Sequence, residues 1–336
     1  MRKNALVSIL SGLVAVFIVI VVGSYVIVAQ GTVTGEWKAN VNGGRYDIED
    51  AADLAKEKFD KADKAEKVQK ASDPNKIHIQ FERRTAHGTN SNGQSYSYSE
   101  LQGLTRESAQ NGRVHFTLVR EAGTVECDGS FTNGVGSGTF TFTPNGSFIS
   151  SMKSRGFDFL AANNSRGGES NDDKLLSAAL LNVTTALADD LNSANFGKLE
   201  VDDLFKAAIF KIDGKFMAEM KATGYPNLNM EDLVKARIFK IDADYVRSVH
   251  DMGFDNRDFE GLVKFRIFKI TPEFLSDLKN AGLTTMDSED IVKCSIFKIN
   301  GDFVRQARAT DPNITLEEMV QMKIGVYRKK GTDLDH

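Results

Sequence analysis

Cysteine, tryptophan and proline are scarce in this 336-residue chain: two Cys, one Trp and five Pro. Cys127 and Cys294 stand far apart, and neither has a CxxC neighbour or a histidine at ligand spacing. That excludes a disulfide framework and a structural zinc site, and leaves two thiols expected to be buried. Charge of one sign is missing too. The formal net charge is −4, too balanced for wholesale nucleic-acid binding. There are five histidines. No HExxH or GxSxG occurs, so no nucleophile–base pair or catalytic metal set is legible. The chain is expected not to be an enzyme and to carry no cofactor.

What is present begins with a hydrophobic run. Arg2 and Lys3 precede an apolar stretch from Ala5 to Ala29. It exceeds the roughly 20 residues that span a bilayer as a helix. It is also longer than the apolar region of about 7–15 residues of a secretory signal. An uncleaved transmembrane anchor is the first expectation. A cleaved signal remains open, because Ala29-Gln30-Gly31 would serve as a cleavage site. The positive-inside rule puts Arg2 and Lys3 in the cytoplasm and the bulk of the chain outside it; cleavage would make the protein secreted.

Residues 32–147 read as an antiparallel β module. Lys76–Glu82, Val114–Arg120, Thr124–Phe131 and Thr139–Phe142 alternate apolar and polar residues, as half-buried strands do. His78 and His115 have the opposite parity to their apolar neighbours and should face outward. Gly134, Gly136 and Gly138 imitate a phosphate loop, but no helix start follows, so they read as a hairpin. The Ala-, Lys-, Asp- and Glu-rich segment at about 50–72 reads as a charged helical insertion.

From 148 to 328 the chain repeats. Ile-Phe-Lys-Ile recurs at 209, 238, 267 and 296, a constant step of 29. Units of this size cannot bury a core alone and must stack. Thr184, Asp213, Asp242, Thr271 and Asn300 keep the same step and are good helix N-caps. Three residues beyond each stands an apolar anchor: Leu187, Phe216, Tyr245, Phe274 and Phe303. Eleven beyond, Asn195, Gly224, Gly253, Gly282 and Asp311 should end the first helix. A second helix follows, with the lysine of Ile-Phe-Lys-Ile at its end. Thr143 to Phe157 matches the same pattern, and its distance from Thr184 implies about 12 inserted residues, placed in the polar stretch 163–173. The fold class expected is α+β: an N-terminal transmembrane helix, an antiparallel module, and a two-helix-repeat α-solenoid. Residues 329–336 are a polar tail.

Equal offsets line up in a stack, so Lys206, Lys235, Lys264 and Lys293 form one basic row, with Arg237 and Arg266 beside it. These six are the candidate binding residues. Two readings stay open for them: a solvated face, or a docking strip for an acidic partner. Ile238 and Phe239 are expected in the stack's core, where truncation to Ala costs roughly 2–5 kcal/mol.

Thr271-Pro-Glu-Phe274, Leu278, Gly282 and Gly253-Phe254, with Val119–Thr124 and Gly136–Pro144, carry a resemblance covering about 105–326. It resembles helical repeats of bacterial membrane-anchored ectodomains associated with antirepressor-type membrane zinc metallopeptidases. The peptidase part is absent, so the resemblance implies no protease activity, only a sensing or signalling context. The expected function is a membrane-tethered extracytoplasmic scaffold that binds a protein partner through its repeats. The alternative is a binder of anionic or cell-wall polymer; an uncharacterised hydrolase stands last. No specific nucleic acid is expected as a partner.

Overall fold

The structure is a computed structural model, and it describes residues 31–41, 73–85, 88–161, 170–225, 227–253, 259–284 and 286–327. The expected membrane span at 5–29, the charged insertion and the polar tail lie outside them. Among the described residues no helix is long and apolar enough to cross a membrane. Among the described residues the architecture is α+β: a curled antiparallel sheet of seven strands and twelve helices.

The strands are β1 (Val33–Asn40), β2 (Lys76–Thr85), β3 (Gly88–Ser97), β4 (Leu101–Gln102), β5 (Gly112–Arg120), β6 (Gly123–Thr132) and β7 (Val135–Pro144), in sheet order β3-β2-β1-β7-β6-β5-β4. Every neighbour in that order follows in sequence except β7, which pairs with β1 from Val33↔Phe142 to Asn40↔Val135. A 3₁₀ turn at Tyr98–Glu100 joins β3 to β4. One bent run of chain therefore pairs first with β2 and then with β5, and links the two edges of the curl. Alternation dictates the sidedness. Ile77, Ile79 and Phe81 are buried, as are Val114, Phe116 and Leu118. His115 lies on the outer face beside Asp128, at 2.9 Å.

The glycine-rich hairpin is a two-residue turn, with Asn133 and Gly134 at φ 51° and 77°, as a type I′ hairpin demands. Further along it, Gly129 faces Gly138 across the strands. A Cβ on Gly129 would run into the indole of Trp37. The paired glycines make room for that ring, which stacks edge-on to Phe116 at 5.2 Å and donates to Asp128 O at 3.3 Å.

The helices follow in pairs. First helices are α1 (Gly146–Ser154), α3 (Thr185–Ser193), α5 (Gly214–Lys221), α7 (Ala243–Asp251), α9 (Pro272–Asn280) and α11 (Gly301–Thr310). Second helices are α2 (Asn171–Leu180), α4 (Val201–Phe210), α6 (Met230–Ile238), α8 (Phe259–Ile267), α10 (Ser288–Ile296) and α12 (Leu316–Lys323). All five caps from Thr184 to Asn300 accept from the backbone N–H three residues on. Asn195, Gly224, Gly253 and Gly282 then take positive φ and end the first helices.

Three expectations need correction. The first unit is capped by Asn145, not Thr143, because β7 continues through Pro144 and holds Thr143 in the ladder. The distance from Asn145 to Thr184 is 39, so the insertion is ten residues rather than twelve. Within the proposed insertion, Asn171–Asp173 is the first turn of α2, capped by Ser170. Asp311 does not take the left-handed turn: its φ is −142°, and its carboxylate meets Tyr327 Oη at 3.4 Å.

One apolar core runs from Val33 through the sheet into the helices as far as Val292. Helix α2 joins the two parts: Leu175, Leu176, Ala178, Ala179 and Leu180 are all buried against sheet and helices. Gln94 and Tyr96 of β3 both donate to Leu180 O. Ile238 and Phe239 are half-buried and pack on the edge of this core. Truncation there should cost about 1–2 kcal/mol, below the expectation for a full core site.

Candidate functional site

The second helices carry the candidate row, and the row has partners. Lys206 reaches Glu231 at 2.5 Å, Lys264 reaches Glu289 at 2.6 Å, and Lys293 reaches Glu317 at 3.4 Å. Lys235 pairs with Glu260 in the same way. Each bond runs from one unit to the next. Aspartates one turn earlier add to it: Asp203 at 3.5 Å, Asp232 at 4.0 Å and Asp290 at 3.5 Å. In Lys235 the Glu260 bond raises the pKa against the opposing effect of burial. In Lys206 burial is the largest influence and lowers it, but Glu231 and Asp203 outweigh it and leave the pKa raised. The stripe is thus an alternation of cation and carboxylate.

Arg237 and Arg266 are engaged too. Each stacks on the anchor ring of its own unit, Arg237 over Phe216 at 3.7 Å and Arg266 over Tyr245 at 3.6 Å. Each also donates to the last carbonyl turn of the preceding second helix, Lys211 O at 2.8 Å and Lys240 O at 2.7 Å. A guanidinium does both because it is flat and carries its donors in the plane. Burial pushes the Tyr245 hydroxyl up to about 12, with Arg266 opposing. In the next unit Ser295 takes the place and donates to Phe268 O at 2.7 Å. In the last, Lys323 lies 4.0 Å over the Phe303 ring.

The first helices have a parallel ladder. Lys221 donates to Asn195 O at 3.1 Å, Lys279 to Met252 O at 3.3 Å and Arg308 to Ala281 O at 3.2 Å. Each cation caps the C-terminus of the preceding first helix, where carbonyls lack partners. Asp190 and Asp277 accept from the N–H of Gly214 and Gly301, at 2.7 and 2.6 Å. A Cβ at Gly214 would press on Asp190 at 2.7 Å, which accounts for glycine at a helix start.

The second helices end on a different lysine row. Lys211, Lys240, Lys269 and Lys298 all have φ of 52–53°, in the left-handed region that side chains other than Asn and Gly seldom occupy. All four are exposed. The sequence marks these residues as helix ends but gives no sign of their backbone conformation.

At the sheet–helix seam, Arg83 pairs with the buried Asp173, and Asn92 donates to Ser177 at 3.2 Å. A cavity of about 20 Å³ lies here, room for about one water. Burial opposes ionisation of Asp173, but bonds from Ser170 and Arg83 prevail and hold its pKa low. Lys174 is 1 % exposed, and its Nζ has no hydrogen-bond partner among the described residues. Burial raises both thiols, Cys294 to about 11 and Cys127 further, so neither is poised as a nucleophile. Among the described residues no cluster of His, Cys, Asp and Glu could hold a metal ion.

Compared with known proteins, the chain matches no family model, no curated protein and no solved structure.

Proposed function

We propose that the chain is a membrane-tethered extracytoplasmic scaffold, whose two-helix units form a solenoid that binds a protein partner. The repetition of the seam contacts supports this reading best. Ion pairs and carbonyl caps recur between successive units, and ring stacks recur within them, so equivalent side chains are offered in a long series. Such a series suits an extended partner. The tether in this reading is the apolar run Ala5–Ala29, with Arg2 and Lys3 inside. The sheet, sharing its core with the first helices, acts as a rigid spacer between membrane and repeats. A signalling role comes from the resemblance in the repeats alone. The polymer alternative loses its main support, because glutamates neutralise the stripe on which it relied.

The test is photo-crosslinking from single positions of the full-length chain in native membranes. Probes placed on the exposed ends of the second helices should yield one discrete protein adduct, with none from probes on the outer face of the sheet. Polydisperse glycan adducts, or no discrete adduct from any repeat position, would overturn the reading.

A further inference from the structure

The lysines at the ends of the second helices stand where backbone geometry calls for another residue. The first unit has Asn182 at this place, with φ 55°, and the last has Gly325, with φ 78°. Every first helix that ends in this conformation does so on Asn or Gly: Gly156, Asn195, Gly224, Gly253 and Gly282. Among the described residues only the four inner second helices use lysine. A cation near a helix C-terminus recovers part of the conformational cost. Yet the same chain meets the same need elsewhere without one, so the side chain itself carries the reason.

The surroundings indicate what that reason is. Lys240, Lys269 and Lys298 are exposed and meet no carboxylate among the described residues, in a chain whose net charge is −4. The acid nearest Lys240 in sequence, Asp242, is turned to the N–H of Tyr245 at 2.8 Å. Two residues before each lysine is an isoleucine that the stack leaves partly or largely open. Ile238 and Ile267 are half-buried and Ile296 is 49 % exposed; in the last unit Gly325 takes the lysine's place, and Ile324 directly before it is 55 % exposed. Cation and apolar side chain therefore alternate along one edge, one pair in each of three inner units: Ile238 with Lys240, Ile267 with Lys269 and Ile296 with Lys298.

Resting on the scaffold reading above, we propose that this edge, Lys240, Lys269 and Lys298 with Ile238, Ile267 and Ile296, docks an acidic amphipathic helix of a partner protein. Charge complementarity selects an acidic occupant, and the isoleucines select one with an apolar face. Spacing selects a helix: packed second helices lie about 8–10 Å apart, and seven residues of helix rise about 10.5 Å. A helix running along the edge offers one Glu and one Leu to each unit.

The experiment uses the full-length chain and a labelled synthetic helix with Glu and Leu repeating every seven residues. Saturable binding is expected, with a loss of roughly tenfold or more in Lys240→Asn/Lys269→Asn/Lys298→Asn. The melting temperature should be unchanged, since Asn already occupies this conformation in the same chain. Lys→Arg at the same sites should keep binding, and Ile296→Ser should weaken it, which secures the result should the Asn variant fold poorly. A peptide with Gln for Glu should not bind. Equal affinity in the Asn variant, or no saturable binding to the wild type, overturns the proposal. So does displacement of the peptide by phosphatidylglycerol vesicles, which would make the edge a lipid-facing one. If the Asn variant keeps the discrete adduct in native membranes, the scaffold stands and the docking edge falls. If the wild type gives no adduct, the scaffold falls, and the peptide alone decides the edge.

Discussion

Reversing Lys235, Lys264 and Lys293 to Glu would set each new carboxylate against one that already occupies the seam. Glu260, Glu289 and Glu317 lie across it, and Asp232 and Asp290 lie one turn away. These side chains are partly solvated, 43 % and 69 % exposed for Lys264 and Glu289, so each pair stabilises by about 0.2–1 kcal/mol. Repulsion of similar size replaces it on reversal. That gives about 1 kcal/mol per seam and about 3 kcal/mol for the triple variant. In a domain of this size it lowers the melting temperature by about 6–12 °C. Adding Glu260→Lys, Glu289→Lys and Glu317→Lys to the triple variant should restore most of the loss. Salt at about 1 M, where screening acts within about 3 Å, should shrink it. Thermal circular dichroism reads the stack as a whole. Labelling of the buried Cys294 in α10 reads the opening of the repeats, and that of Cys127 in β6 serves as an internal control. A triple variant that melts with the wild type would refute the assignment of this row to the seams. So would a loss that neither salt nor the charge swap relieves.

Arg266→Ala should cost more than any single lysine of that row, about 1–2 kcal/mol, because a ring stack and a charge-assisted bond to Lys240 O go together; urea midpoints would contradict this if Lys264→Ala proved the costlier change. In the sheet and at its seam with the helices the sign of the pH effect follows from depressed carboxylates. Asp173 and Glu100 titrate below their ordinary ranges when folded, so their contribution is complete above the unfolded value of about 4 and drains away as pH falls through the folded values. In Glu100 burial opposes this, but bonds from Ser97 and from Arg120 at 2.5 Å prevail. Asp173→Asn should therefore cost about 2 kcal/mol at neutral pH and flatten the acid limb of an unfolding profile; an unchanged limb would remove Asp173 from the explanation. Lys174→Met should raise stability by about 1 kcal/mol or more, since it replaces a buried polar Nζ that has no hydrogen-bond partner among the described residues by an apolar chain of similar size; a lower denaturant midpoint would mean that the Nζ is satisfied.

The caps at Thr184, Asp213, Asp242, Thr271 and Asn300 were legible because a helix start has a local need, an acceptor for an orphan N–H, and the need recurs every 29 residues. Strand parity was legible at Ile77–Phe81 and Val114–Leu118 for an equally local reason. The ion-pair seam was present in the sequence but takes two rows to see. Glu231, Glu260 and Glu289 follow Lys206, Lys235 and Lys264 by 25, and reading the cations alone turns a neutral alternation into a basic stripe. The pairing of β7 with β1 lay beyond local pattern, since Trp37 meets Gly138 across about a hundred residues. So did the bond of Arg83 to Asp173, which links two single residues with no periodic echo.

The lysines of one unit show why position outweighs composition here. The residue six after the second helix cap is spent on the next unit's glutamate. The one on the first helix, as at Lys221 and Lys279, is spent on the previous unit's carbonyls. The one at the end of the second helix is left to solvent at Lys240, Lys269 and Lys298. A protein that binds through charges its own fold uses must loosen its seams to bind, and loses affinity by the energy of the seam. Keeping a separate outward row avoids that competition. It also explains why the edge can be cationic in an acidic chain: carboxylates of the repeats such as Glu231, Glu289, Asp213 and Asp242 are already committed to cations of the neighbouring unit or to helix starts. In the proposed scaffold, folding and recognition thus draw on different lysines of the same repeat. Substitutions at one row should separate cleanly from substitutions at the other, the seam row moving stability and the edge row moving binding.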